Sequence, residues 1–322
     1  MLTTGIALGS VTTFVPLLLI SIITTLNPSA GDVSPFLPIE QAMLSNSVTA
    51  DQRTSLFAGY NLIGSLVGAL GALCAGLPVL IARTLDAADQ TGRQSAFVFY
   101  GLAGLLSLIL YSQLPRTPLS NTAPLRRALS PRSRKTVLTL SALFSLDSFG
   151  GGFATQAIFA LWMLGRFDVS IESLGALFFG AGIISAFSSL IAVRISQRIG
   201  LVKTMVFTHI PASVLLILVA LAPHVSIAIA LFLVRAFLSQ MDVPVRTSYV
   251  MAVVQPEERA AAASITNVPR SLASALPPLA AGWMLDQTTF AWPLLICAAC
   301  KIIYDLLLLK MFTEVAPDNS TD

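Results

Sequence analysis

One aspartate in the middle of an apolar stretch is the residue of this sequence best placed to do chemistry. Asp147 lies about a dozen residues into a predicted helix that begins at Thr136, and three glycines at positions 150–152 follow it. An ionised side chain at the centre of a membrane-spanning helix costs about 2.5 to 3.5 kcal/mol, so it needs a partner, a water cavity or a function. The position predicts a carboxylate that binds a proton or a cation. The alternative is a structural carboxylate bonded to a neighbouring helix.

A second set of charges lies on one face of a later predicted helix. Asp242 and Arg246 are four residues apart, a spacing that allows an ion pair, and Arg235 lies on roughly the same face two turns earlier. The related segment near the start of the chain carries Asp32 and Glu40. We expect at least one of Asp32, Asp242 and Arg246 to contact a substrate or an ion. The alternative is a charge network near the cytoplasmic face that holds one closed conformation.

Polar residues beside a proline form a third candidate group. Arg270 directly follows a proline, and Asn267 lies about one turn before it. A proline inside a helix frees a backbone carbonyl and permits a kink. We predict that Arg270 is a counter-ion for Asp242 or Asp147. Asn61, at the position in an earlier helix that corresponds to Asn267, is predicted to hydrogen-bond across the interface between two halves of the molecule.

The remaining charged candidates have local roles. Lys301 and Asp305 are spaced for an ion pair within the last predicted helix, where we expect a structural contact. Arg198 followed by Gly200 fits a tight loop between two helices. In that loop Arg198 either makes a gating contact or only adds to the positive charge that sets the topology.

The chain has few of the residues that metal binding, redox chemistry or hydrolysis would need. The three cysteines lie in apolar runs, and Cys297 and Cys300 form a C-x-x-C pattern without a second pair or polar neighbours. The chain has two histidines, His209 and His224, and no histidine cluster. No G-x-x-x-x-G-K-[ST] segment occurs, so ATP-driven pumping within this chain is excluded. We predict no enzyme activity, no cofactor and no metal.

The composition determines which elements must position these residues. The chain has 322 residues, of which 55% are hydrophobic and 11% charged, and its mean hydropathy is +0.80. A soluble domain carries about 25% charged residues, so these side chains cannot coat a surface that faces water. The net charge of +3 is concentrated in one loop, which argues against a nucleic-acid partner. The sequence predicts an all-α, polytopic membrane protein whose main partner is the lipid bilayer.

Nine segments are long and apolar enough to cross a bilayer, which takes about 20 residues. The predicted spans are Val15–Leu44, Thr54–Ile81, Ala96–Leu114, Thr136–Leu164, Leu174–Val193, Thr204–Leu221, Ile227–Val254, Ala260–Leu285 and Ala291–Phe312. The loop at 115–135 holds six basic and no acidic residues, so it is predicted to be cytoplasmic. With nine spans, this orientation places the C-terminus in the cytoplasm.

An internal repeat relates the first and seventh predicted spans. Residues 31–35 (GDVSP) resemble residues 241–244 (MDVP), and residues 48–53 (VTADQR) align with residues 254–259 (VQPEER). The offsets are 210 residues at the aspartates and 206 at the arginines. Six spans separate the two copies, so each helix and its copy run in the same direction. This is a parallel duplication of a six-helix unit.

These features resemble the major facilitator superfamily, in an uncharacterised, efflux-like bacterial branch. The basic central loop is similar to the inter-domain linker of that family, and residues 242–254 and 32–41 resemble its tenth and fourth helices. The loop signature of the family, G-x-L-a-D-R-x-G-R-K, is present only in part, since Val193 and Gln197 replace its glycine and aspartate while Arg198 and Gly200 match. By this resemblance the chain contains spans four to twelve of twelve.

The resemblance implies three regions and a transport function. Residues 1–114 would form a partial N-terminal bundle, 115–135 a basic cytoplasmic linker and 136–322 a six-helix C-terminal bundle. Function would be proton- or ion-coupled export of a small organic molecule across the cell membrane by alternating access. Asp147 or Asp242 would carry the coupling proton.

Two alternatives remain open at this point. A ten-helix drug/metabolite transporter fits the length, although it predicts a repeat offset near half the chain with inverted topology. A non-transporting or incomplete membrane protein, from a shortened reading frame, is the other alternative. It follows from the expectation that three spans, on the order of 90 residues, are missing from the first bundle.

Overall fold

The computed structural model describes residues 1–23, 37–74, 77–113 and 129–312, and this part of the chain is helical with no β-strand. Asp32 and most of the basic loop at 115–135 lie outside the described residues. The helices are α1 (Leu2–Ser10), α2 (Phe14–Ile23), α3 (Leu37–Asn46), α4 (Arg53–Cys74), α5 (Leu77–Thr84), α6 (Asp89–Ser112), α7 (Pro131–Gly152), α8 (Gln156–Phe167), α9 (Ile171–Ile199), α10 (Leu201–Ala220), α11 (Val225–Ser239), α12 (Asp242–Ala252), α13 (Arg259–Ala275), α14 (Pro277–Gln287) and α15 (Trp292–Phe312).

Six segments of the described chain are long and apolar enough to cross a membrane. They are Ala50–Gly71, Gln90–Leu110, Ser133–Phe167, Ser173–Ile199, Leu201–Ala220 and Val225–Ala252. Of the other three predicted spans, Val15–Leu44 lies partly outside the described residues, and Ala260–Leu285 is divided between α13 and α14. The last predicted span, Ala291–Phe312, corresponds to the 21-residue helix α15 (Trp292–Phe312). The all-helical membrane architecture predicted from composition is confirmed.

The chain forms two compact units. Unit 1 comprises Met1–Ser29 and Leu70–Ala123, and unit 2 comprises Ala30–Ala69 and Pro124–Asp322. In unit 1, α6 packs against α1 and α5. A side-chain β-carbon built at Gly5 of α1 would stand 2.6 Å from the backbone nitrogen of Gly101 in α6, so glycine permits this close approach. The division at 1–114, 115–135 and 136–322 stays a prediction.

Unit 2 has two apolar clusters. The first joins α7, α10, α12, α13 and α15, and Tyr249, Tyr304 and Phe144 are its largest fully buried side chains. The second joins α8, α9, α10, α11 and α15, where Phe159 and Phe232 stack with ring centroids 4.2 Å apart. Within a bilayer, such buried side chains stabilise the helix bundle through van der Waals packing rather than through removal from water. These clusters surround the charged residues that the sequence singles out.

Local sequence explains where the helices of unit 2 begin. Ser130, Thr155 and Ser170 precede α7, α8 and α9, and each side-chain oxygen accepts a hydrogen bond from the backbone N–H three residues later at 3.3 Å. A serine or threonine at this position satisfies one of the free N–H groups of a first helical turn. Between α9 and α10 the chain turns at Gly200, whose φ of 88° is one that other residues rarely adopt.

The two copies of the sequence repeat fold alike. In each copy a helix (α3 or α12) is followed by a 3₁₀ turn (Ala50–Gln52 or Pro256–Glu258) and then by a helix that begins with arginine. The Nε of Arg53 donates to the Ser45 carbonyl, and the Nε of Arg259 donates to the Met251 carbonyl, both at 3.3 Å and both eight residues back. The 206-residue offset therefore relates equivalent side-chain-to-backbone hydrogen bonds as well as similar residues.

A close approach of α7 and α15 brings charged side chains of the two helices together. A β-carbon at Gly150 would lie 2.7 Å from the Cys300 β-carbon, far closer than two such atoms pack. Glycine at position 150 therefore lets α7 and α15 touch at Cys300. Asp147 lies one turn before Gly150, and Lys301 directly follows Cys300.

Substituting Gly150→Ala is expected to destabilise the fold by about 1 to 3 kcal/mol, because the added methyl group overlaps Cys300. The measurement is the thermal unfolding midpoint of the detergent-solubilised protein. Gly175→Ala in α9 is the matched control, since its β-carbon meets no atom within 4 Å, and it should be neutral or slightly stabilising. Equal midpoints for the two variants would contradict the close approach.

A buried glutamate joins the 3₁₀ turn before α13 to the start of α7. The backbone N–H of Ser130 donates to Glu258 Oε1 at 2.6 Å, and Glu258 is 4% exposed. Burial raises the pKa of the Glu258 carboxyl, but hydrogen bonds from Ser133 and Ser130 lower it further, so the net pKa is below its ordinary value of 4.5. A lowered pKa means that the ionised form contributes to stability above pH 4.5 and that this contribution is lost as the pH falls below it.

Replacing Glu258 by glutamine should therefore cost about 1.5 kcal/mol at neutral pH and should flatten the loss of stability on acidification. The measurement is the unfolding midpoint as a function of pH, from about pH 7 to about pH 4. Glu257→Gln provides the control, because Glu257 is the exposed neighbour in the same turn. An unchanged pH profile for Glu258→Gln would show that the Ser130 contact does not hold this junction.

Candidate functional site

Asp147 lies at the centre of a buried charge network in unit 2. Its side chain is 6% exposed and accepts from Lys301 Nζ at 2.6 Å through Oδ1 and from Arg246 Nη1 at 3.2 Å through Oδ2. His209 Nε2 lies 3.8 Å from the same Oδ1. Helices α7, α15, α12 and α10 each contribute one of these side chains. A lysine and an arginine side chain therefore stabilise the ionised form of one carboxylate inside an apolar bundle.

Arg246 links Asp147 to a second carboxylate. Its Nη1 lies 3.2 Å from Asp242 Oδ2, one helical turn away in α12. Asp242 is in the first turn of α12, where a negative charge is favoured by the helix dipole. The Arg246 guanidinium also lies 5.5 Å from the centroid of the Phe144 ring. One guanidinium thus serves two carboxylates.

Lys301 and Asp305 do not form the ion pair that their spacing suggests. Lys301 contacts Asp147, whereas both oxygens of Asp305, which is fully buried, lie 3.0 and 3.1 Å from His209 Nδ1. The reason is the close approach of α7 at Gly150, which offers Lys301 a carboxylate at 2.6 Å. The i, i+4 geometry within one helix cannot compete with that contact.

His209 connects a basic residue to a buried carboxylate. Lys301 Nζ lies 3.3 Å from His209 Nε2, and Nδ1 of the same ring faces both oxygens of Asp305. The three carboxylates of the network, those of Asp147, Asp242 and Asp305, thus each lie within 4 Å of Arg246, Lys301 or His209.

A cavity of about 490 Å³ lies next to the network. Two guanidinium groups line it, those of Arg246 and Arg270. Four side-chain amides also line it, those of Gln41, Asn61, Gln240 and Asn267. Apolar walls come from residues of α3, α4, α7 and α12, including Phe57 and Phe144. No carboxylate is among the described residues of the lining. We call this space the central cavity, because both copies of the sequence repeat contribute to it.

The predicted polar residues of α13 face the central cavity. Arg270 Nε donates to Ser148 Oγ at 2.7 Å rather than to a carboxylate, so Arg270 does not act as the predicted ion-pair partner in this structure. Asn267 Nδ2 donates to Gln41 Oε1 at 3.2 Å and so joins α13 to α3. Asn61 lines the same cavity from α4.

Three other predicted residues lie away from the network. Glu40 accepts from the Tyr60 hydroxyl at 3.0 Å. Arg198 is exposed at the end of α9, and Gly200 forms the turn that follows it. Asp32 is outside the described residues. The gating role of Arg198 and Gly200 stays a prediction.

Sequence reasoning missed His209, Gln41 and Ser148. His209 had a usable signal, since it is an ionisable residue inside the otherwise apolar helix α10, and such residues are functional candidates by default. His209 was overlooked because the sequence has no histidine cluster. Gln41 and Ser148 gave none, because only the packing of α3 and α7 against α13 reveals their partners.

The comparisons with known proteins give a consistent result. A family model described as Major Facilitator Superfamily matches residues 141–322. The uncharacterized membrane protein YJR124C of Saccharomyces cerevisiae is 26% identical over 350 residues, which cover 98% of this chain and 78% of the yeast protein. The uncharacterized MFS-type transporter YceJ of Bacillus subtilis is 22% identical over 241 residues, covering 73% of this chain and 60% of YceJ.

Solved structures share the fold. The human organic anion transporter MFSD10 superimposes with a TM-score of 0.68 at 19% identity, covering 95% of this chain and 74% of MFSD10. The proton:xylose symporter XylE superimposes with a TM-score of 0.63 at 16% identity, covering 85% of this chain and 66% of XylE. At these identities the likeness concerns the fold alone.

Removing Lys301 tests the network around Asp147. Lys301→Met should destabilise unit 2 by about 3 kcal/mol, at the low end of the range for a broken buried pair because Arg246 still contacts Asp147. Lys310→Met, an exposed position of the same helix, should have little effect. The Asp147→Asn/Lys301→Met double variant should lose less stability than the sum of the single variants. Strict additivity in thermal unfolding would contradict the contact.

Proposed function

Since the chain belongs to the major facilitator superfamily, and is thus a multi-pass membrane transporter, we propose that it moves small organic anions together with protons by alternating access. Membership of this family rules out the ten-helix drug/metabolite alternative. The proposal places substrate in the central cavity and the coupling proton in the network of Asp147, His209 and Asp305. It places the protein in the cell membrane with a cytoplasmic C-terminus, as the loop charges predict.

The central cavity supports an anionic substrate. Two guanidinium groups and four amides line it, without a carboxylate among the described residues. Guanidinium groups bind carboxylate and sulfonate oxygens through paired N–H donors, while side-chain amides supply further donors. Phe57 and Phe144 provide apolar surface for the remainder of a small organic molecule.

One observation connects the cavity to proton binding. Arg246 lines the central cavity, and its Nη1 also contacts both Asp147 and Asp242 at 3.2 Å. An anion that draws this guanidinium toward the cavity weakens its hold on the two carboxylates, so their affinity for a proton rises. A bound anion also adds negative charge beside the three carboxylates of the network. Anion and proton therefore favour each other's binding, as linkage requires.

The direction of net movement depends on the gradients, since coupled binding of two ligands is reversible. Export, the direction that the family resemblance implies, occurs when the product of the anion and proton concentrations is larger in the cytoplasm than outside. One proton moving with one monovalent anion carries no net charge. The proposed transport is then insensitive to the membrane potential.

Transport is tested in proteoliposomes that contain sodium benzenesulfonate, a buffer at low concentration and the pH-sensitive dye pyranine. Benzenesulfonate is permanently charged, so it does not cross the bilayer as a neutral acid. On dilution into anion-free medium at the same pH, the wild-type protein should make the interior alkaline as protons leave with the anion. Asp147→Asn should abolish the pH change while it retains exchange of labelled benzenesulfonate, because exchange needs no net proton movement.

Asp168→Asn is the control, since Asp168 is exposed in a left-handed turn that asparagine also adopts. This variant should behave as the wild type. Efflux of labelled anion from wild-type vesicles without a pH change would contradict proton coupling. Absence of any protein-dependent efflux or exchange of organic anions would contradict anion transport and favour the non-transporting alternative.

A further inference from the structure

A second cavity of about 320 Å³ lies within unit 2, between α8, α9, α10, α11 and α15. Three basic side chains line it: Arg235 of α11, Lys301 of α15 and His209 of α10. No carboxylate is among the lining residues of the described chain. Ser185 and Gln240 line both this cavity and the central cavity, so the two spaces adjoin. We call it the Arg235 cavity.

Arg235 differs from the other basic residues of the network. Arg246 and Lys301 each contact Asp147 within 3.2 Å, whereas no carboxylate of the described residues lies within 4 Å of Arg235. Its Nε is enclosed without a hydrogen-bond partner. The nearest compensation is the Phe232 ring, whose centroid lies 6.0 Å from the guanidinium carbon. A cation–π contact at this distance offsets only part of the cost of a charge inside the membrane.

The wall beside Arg235 is aromatic. Phe232 stacks on Phe159, and Phe178 packs edge-on against both rings. All three phenylalanines line the Arg235 cavity. The space therefore offers a guanidinium with free donors on one side and a rigid apolar wall on the other. That combination fits a small anion whose charged oxygen atoms or halide lie against Arg235.

We propose that the Arg235 cavity is a second anion-binding site, which takes a small monovalent anion. The anion is either chloride or a small organic carboxylate, and either one would contact the same guanidinium. The site does not require the proposed transport function, since it follows from an uncompensated cation rather than from coupling.

Equilibrium binding to the protein in lipid nanodiscs tests the proposal without any gradient. The midpoint of thermal unfolding is followed while sodium chloride or sodium acetate replaces sodium lactobionate, whose disaccharide anion is too bulky for the cavity. The wild type should show saturable stabilisation. Arg235→Met, which keeps an apolar stem of similar length, should weaken that binding at least tenfold. Arg235→Lys should retain part of it, and Arg194→Met, an exposed position on α9, should retain all of it.

The titrations are repeated with Arg270→Met in every protein, which removes one of the two guanidinium groups of the central cavity. An anion bound in the central cavity would lose affinity in this background, whereas one bound at Arg235 would not. Saturation by acetate alone identifies the organic source, saturation by chloride alone the inorganic one, and either result supports the site. In lactobionate, Arg235→Met should unfold at a higher temperature than the wild type, because an unpaired charge inside the helix bundle has been removed. Anion affinity unchanged by Arg235→Met, no saturable effect in the wild type, or a lower midpoint in lactobionate would overturn the proposal.

These outcomes separate the second site from the transport function. Loss of anion binding in Arg235→Met, with no coupled flux in wild-type vesicles, would support this site and reject the transport proposal. Coupled flux in the wild type, with normal anion binding in Arg235→Met, would support the transport proposal and reject this site.

Discussion

The interaction on which unit 2 depends is the ionisation of Asp147 inside an apolar bundle. Isolated, that carboxylate would be too costly to bury, and the structure surrounds it with Arg246, Lys301 and His209 from three other helices. The requirement explains the glycine at position 150, where α7 and α15 have to touch for Lys301 to reach Asp147. Arg246, which contacts Asp147, also lines the central cavity.

How far the sequence could predict this arrangement depends on the kind of feature. Composition and hydropathy were sufficient for the helical membrane fold, and a parallel repeat was sufficient to suggest the family. The charged residues Asp147, Asp242 and Arg246 were identifiable because each interrupts an apolar helix. The i, i+4 pair of Asp242 and Arg246 has the geometry that its spacing allows, since a contact within one helix needs no knowledge of neighbouring helices.

Partners on different helices could not be predicted. Lys301 and Asp305 have the same spacing as Asp242 and Arg246, yet they bind Asp147 and His209, since packing between α7, α10 and α15 offers closer partners. Arg270 bonds to Ser148 for the same reason. The contacts of His209 and the unpaired state of Arg235 both follow from this packing, so neither is visible in the order of residues alone.

The central claim is that an anion in the central cavity and a proton in the network bind cooperatively. Titration calorimetry of benzenesulfonate binding measures this directly when it is repeated in two buffers with different enthalpies of ionisation, because the difference in heat gives the number of protons taken up. The account predicts net proton uptake on binding near neutral pH, reduced or absent in Asp147→Asn. Binding of the anion with no proton uptake, or with proton release, would contradict it.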